Sequence, residues 1–115
     1  MADAHFAKLL FLEAKRIRDP DGADEIVVSR GDGGVFEKIR MRKDDVFEFD
    51  ERFLPFVNQE PIDVVLNEVN EETDQVTFIG GTKIVADEQG LGEITEPIGG
   101  PGFSGSLYEL TYKVI

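Results

Sequence analysis

The chain predicts an all-β protein, an antiparallel β-sandwich of seven or eight strands in one domain, on three observations. Short apolar segments recur about every ten residues, each bounded by Gly, Pro, Asn or Asp. Several of these segments alternate apolar and polar residues with the period of a half-buried strand. The third observation is length: 115 residues without a cysteine can bury about two-thirds of their unfolded surface, so one core suffices without disulfides or a Cys-bound zinc.

The first segment, residues 6–17, is ambiguous. Ala7, Leu10, Phe11, Ala14 and Ile17 fall at helical spacing among good helix formers, so local propensity alone favours a helix. The apolar run at residues 9–12 equally suits a buried sandwich strand, and the β character of the remaining chain decides for a strand. It ends in RDPDGADE, which crowds Asp19, Asp21, Asp24 and Glu25 around one Pro and one Gly. That composition is turn chemistry and also oxygen-rich cation chemistry.

Residues 25–29 make a second strand rich in β-branched side chains, and RGDGG at 30–34 is a hairpin turn with its Asp-Gly pair. In VFEKIRMRK, Ile39 and Met41 alternate with Lys38, Arg40 and Arg42, with Lys43 extending the basic stripe. After Asp44 and Asp45, Phe47 and Phe49 alternate with Glu48 and Asp50. The outer faces of these two strands carry opposite charge, so pairing between them is the expected use of the stripe, in preference to contact with an anionic surface.

FLPFVNQEP, residues 53–61, has two prolines and no period, and reads as a connection packing its aromatics under a sheet. A strand over 62–69 follows, with Ile62, Val64 and Leu66 on one face, and then NEETDQ at 70–75 as a second acidic turn. A strand at 76–79 is closed by Gly80 and Gly81 before another at 82–86. Residues 87–105 read as an irregular excursion. In the last strand Tyr108, Leu110, Tyr112 and Val114 share one face while Glu109, Thr111 and Lys113 share the other.

Twenty-four acidic residues against twelve basic ones give a net charge of -12. Such a field repels nucleic acid and anionic lipid and draws in cations and basic partners, unless it serves only solubility or a salty surrounding. A protein partner is therefore expected, an anionic membrane only where calcium bridges the two, and nucleic acid not at all. No apolar run reaches the roughly 18 residues of a membrane span, and MADAHFAKLL lacks the pattern of a secretory signal, so a cytoplasmic location is expected.

Catalysis is not expected. His5 is the sole histidine and there is no cysteine, which removes the material for Ser-His and Cys-His nucleophile pairs. A carboxylate pair for glycoside hydrolysis has no Trp platform beside it. GPGFSG at 100–105 matches G-x-G-x-x-G but precedes an alternating strand, not a helix, so it is not a dinucleotide fingerprint.

The two acidic turns form the main constellation, because a hard cation wants six to eight oxygen ligands and turns supply carboxylates together with carbonyls. Asp19, Asp21 and Asp24 make one half; Glu68, Asn70, Glu72 and Asp74 make the other if both turns lie at one end of the sandwich. The first turn is not an EF-hand loop, since Asp24 and Arg30 stand where that loop needs Gly and Glu.

KLLFLEAKRIRDPDGADEIVV resembles the opening of a C-two domain, the calcium-dependent, phospholipid-binding β-sandwich of synaptotagmins and protein kinase C. IDVVLNEVNEETDQVTFIGG is similar to the third-loop region of that family, and GADE with the terminal YELTYKV resembles short bacterial modules of the same type. The resemblance implies calcium ligands at Asp19 or Asp21 and at Asp24. In the second loop Glu68 and Asn70 stand where the family has a spaced pair of Asp, and Thr77 where a further Asp is often found, leaving Asp74 as a substitute. Fewer anionic ligands imply a weaker site.

Overall fold

Eight strands among the described residues form two antiparallel four-stranded sheets packed face to face. The computed structural model describes residues 3–17, 23–31, 34–70, 73–100 and 105–115. The strands are β1 (Phe6–Arg16), β2 (Asp24–Arg30), β3 (Val35–Met41), β4 (Val46–Pro55), β5 (Ile62–Val69), β6 (Val76–Ile84), β7 (Glu93–Gly100) and β8 (Ser106–Val114), with one 3₁₀ turn at Ala86–Glu88. The first sheet has the order β4-β1-β8-β7 and the second the order β3-β2-β5-β6. No helix among the described residues is long and apolar enough to cross a membrane.

β1 shows why local propensity misleads. Its buried residues are Ala7, Leu9, Leu12 and Ala14, followed by Ile17 beyond the strand end. That spacing of two, three, two and three arises from register irregularities between Leu9 and Phe11 and between Ala14 and Arg16. Each inserts an extra residue that resets which side chains face inward. Of the residues at helical spacing, Ala7, Ala14 and Ile17 coincide with this inward set, whereas Leu10 and Phe11 do not.

Elsewhere alternation is regular. Ser106, Tyr108, Leu110, Tyr112 and Val114 of β8 all point inward and are buried, as are Ile62, Val64 and Leu66 of β5 and Ile39 and Met41 of β3. Each large aliphatic side chain so enclosed contributes about 1.5–3 kcal/mol relative to exposure.

Four expectations are corrected. Residues 53–55 are not part of a connection but the end of β4, where Lys8 opposes Phe53. The chain does not break at Gly80 and Gly81; β6 runs through both, opposite Leu66 and Val65. A Cβ on Gly80 would lie 2.7 Å from the Gly99 nitrogen, so glycine here lets the edge strands β6 and β7 close together. Residues 93–100 are a strand, not loop. β7 is an edge, hydrogen-bonded only to β8, and an edge tolerates Pro97 and the positive φ of Gly99.

The fourth correction concerns the basic stripe. β3 and β4 belong to different sheets, so Lys38 and Arg40 do not face Glu48 and Asp50. β3 pairs with β2 instead, setting Arg40 opposite Glu25 with an ion pair of 3.4 Å. The open side between β3 and β4 is bridged by Arg52, whose Nη2 donates to the Phe36 carbonyl at 2.9 Å and to Glu37 Oε1 at 3.0 Å.

Candidate functional site

Strand register determines which turns meet. β2 begins with Asp24 opposite Met41, the last residue of β3, and Ile26 opposes Glu68 near the end of β5. Glu13 opposes Val46 and Arg16 opposes Leu107. The β1–β2, β3–β4, β5–β6 and β7–β8 connections therefore open at the same end of the sandwich. The strand ends that flank both acidic stretches share that end, and the β3–β4 turn adds Asp44 and Asp45.

Asp24 is at the base of this end and points inward. It is 1% exposed, with Oδ2 accepting hydrogen bonds from the Tyr108 hydroxyl at 2.6 Å and from the Ser106 hydroxyl at 3.3 Å. These bonds cross the sandwich from the first sheet to the second. Glu68 continues the inward phase of Ile62, Val64 and Leu66 and is half-buried close by. Burial, the bond to Asp24 and the charges of Asp24 and Glu68 all push the Tyr108 phenol far above its ordinary range.

The outer carboxylates are held by the turns themselves. Asn70 closes the β5–β6 turn: its carbonyl accepts from the Asp74 amide at 2.7 Å and its Oδ1 from the Thr73 amide at 3.3 Å. Asp74, exposed, has φ 57°, a conformation Asp adopts more readily than most residues. In the β3–β4 turn Asp45 Oδ2 accepts from the Arg42 amide at 2.9 Å, while the Asp44 amide donates to the Ala14 carbonyl at 2.7 Å and anchors the turn to β1. Asp44, Asp45 and Asp74 are thus exposed turn carboxylates whose backbone is fixed.

Of the sequence-derived ligands, Asp19, Asp21 and Glu72 lie outside the described residues. Asp24 is buried between the sheets, Glu68 is half-buried and acts with it on Tyr108, and Asn70 and Asp74 lie in the β5–β6 turn. Among the described residues, no three His, Asp or Glu side chains are gathered as a metal shell. Sequence reasoning did not find the Ser106–Tyr108–Asp24 network. The available signal was Tyr108 itself, since an inward-facing tyrosine needs an acceptor for its hydroxyl.

The opposite end carries a related arrangement. The Tyr112 hydroxyl is 2.9 and 2.8 Å from the two carboxylate oxygens of Glu88, and Glu88 Oε1 also accepts from the Val85 amide at 3.0 Å. Burial and Glu88, with a smaller effect of Glu96, raise the Tyr112 phenol. Nearby, Gln59 receives the Ala4 amide at 3.0 Å and donates to the Ala4 carbonyl at 2.7 Å, holding the chain before β1.

No protein-family profile matches this chain, and no curated protein matches it in sequence.

Proposed function

We propose that this chain is a non-enzymatic, C-two-like binding module whose acidic loop end takes up calcium and thereby regulates contact with a protein partner or, through bridging calcium, an anionic membrane. The observation that supports this reading is the register of Ile26 with Glu68, which brings the strand ends flanking the two acidic stretches to one end of the sandwich. In this reading Asp24 supports the site from beneath, through Tyr108, and the ligands are Asp19 and Asp21 with Asp74, Asn70 and the added Asp44. Hard-cation sites of this kind draw on exposed carboxylates and carbonyls from several turns.

The test is thermal unfolding in millimolar calcium against excess chelator, with magnesium as the control for charge screening. Calcium at a hundred times its dissociation constant stabilises by about 2.7 kcal/mol, a rise of several degrees. Asp21→Asn with Asp74→Asn removes that rise. A rise that survives both substitutions places calcium elsewhere.

A second reading has its own support. The bonds from Tyr108 and Ser106 to Asp24 hold the base of the loops without any ion, as suits a calcium-independent module presenting an acidic surface to a basic protein. Its signature is association with a basic partner that falls steeply with salt and is indifferent to chelator.

A further inference from the structure

The outer face of the first sheet, away from the acidic loops, combines exposed apolar side chains with two lysines in an unusual setting. Lys8 of β1 and Lys113 of β8 are directly opposed across the strand pair. Like charges so placed destabilise a sheet. Among the described residues neither is in an ion pair, although the chain holds twice as many acidic as basic residues. Glu93 opposes Lys113 on β7 and still forms no bridge with it. Lys15, on the same face, shows the alternative: it sits 3.0 Å from Glu13 and 3.3 Å from Glu109.

Aromatic surface lies beside the Lys8 ammonium. Lys8 lies 5.5 Å from the centre of the Phe53 ring, and Phe6 meets Phe53 edge to face at 5.8 Å. Phe6 and Phe53 are each 40% exposed and Ile115 38%. Phe53, Ile115, Leu10 and the two lysines line a shallow hollow of about 440 Å³, in which Glu93 is the one carboxylate among the described lining residues. Exposed aromatics around unpaired charge are what an interface presents before its partner arrives.

We infer that this face of β4, β1 and β8 docks a protein segment that presents two carboxylates, one helical turn apart, among apolar side chains. Opposed Cβ atoms on paired strands lie about 5 Å apart, a spacing that side chains at i and i+4 of a helix match. A symmetric second copy whose twofold axis passes through the hollow does not fit, because it would set Lys8 and Lys113 against their own copies. An anionic bilayer fits poorly: it meets the whole molecule and its net charge of -12, whereas a short segment meets only charges within a Debye length of about 8 Å. This surface is separate from the loop end and goes beyond both functional readings.

The experiment is an NMR titration of the intact chain, with chelator present, using a synthetic amphipathic helical peptide carrying Glu at i and i+4 flanked by Leu and Phe. Its Gln counterpart serves as control. The expected result is amide shifts confined to β1, β4 and β8, binding by the Glu peptide but not the Gln peptide, and affinity reduced at least about tenfold by Lys8→Glu with Lys113→Glu. Both lysines are on the outer face, and Lys8→Gln with Lys113→Gln gives an intermediate loss of affinity in a protein whose thermal midpoint is not lowered, since the opposed like charges are removed. Absence of binding at millimolar peptide, equal binding by the Glu-substituted protein, or shifts on another face would overturn the inference. So would lysine-dependent binding to phosphatidylserine vesicles in preference to the peptide, or lysine-dependent self-association in sedimentation.

Discussion

Tyr108 and Tyr112 share the inner face of β8, both are fully buried, and each donates a hydrogen bond to a carboxylate outside its own sheet. Their surroundings differ. Asp24 is enclosed between the sheets and takes a second donor from Ser106, whereas Glu88 sits half-buried on the 3₁₀ turn at the sandwich edge. The same phenol–carboxylate pair therefore has different consequences at the two ends. Where water can replace a lost partner the bond is worth little, and where it cannot, the loss leaves a desolvated polar group. The loop end is held by a dry contact that a mutation cannot repair with solvent.

That contrast can be broken by experiment. Asp24→Ala has the largest expected effect, about 3 kcal/mol lost in urea unfolding, because Tyr108 and Ser106 lose their common acceptor inside the core. Tyr108→Phe follows at about 2 kcal/mol, since the Asp24 carboxylate keeps only the longer bond from Ser106, while Tyr112→Phe costs about 1 kcal/mol. Equal losses for the two tyrosines would dissolve the distinction between the ends. Ser106→Ala, removing a contact of 3.3 Å, is the smallest, below about 1 kcal/mol.

Alkaline titration sharpens the comparison further. Both phenols are raised in the native state, so above about pH 10 the unfolded chain releases protons that the folded chain retains. Stability is fully present below that pH and falls above it, by about 1.4 kcal/mol per pH unit for each such tyrosine. Tyr108→Phe and Tyr112→Phe each remove one proton from the slope, measured as the pH dependence of the urea midpoint. An unchanged slope in either variant would show that tyrosine titrating alike in both states.

The sheets were legible wherever alternation was strict. Ile62, Val64 and Leu66, Ile39 and Met41, and the inner residues of β8 all face the core as their period of two requires. Legibility failed where the backbone departs from that period or where glycine and proline serve an edge. The bulges of β1 break the period of two, Gly80 and Gly99 resemble loop chemistry although they permit β6 and β7 to approach, and Pro97 resembles it too although it belongs to an edge strand. At the candidate site, the crowding of carboxylates in the turns was visible. The inward direction of Asp24 was not, because it depends on a tyrosine far along the chain.

The all-β class, most of the buried face of each regular strand and the concentration of negative charge in turns are written in the chain's local pattern. These are consequences of local covalent geometry, in which successive side chains alternate and turns recruit Asp, Asn and Gly. Packing of the two sheets sets β3 beside β2 and not β4, brings the strand ends flanking the acidic stretches to one end, and sets Lys8 opposite Lys113. It also decided that Asp24, 84 residues from Tyr108, is its buried acceptor. Strand order and buried polar partners are set by packing two sheets together, and nothing within a short window of sequence fixes which distant residue is brought opposite.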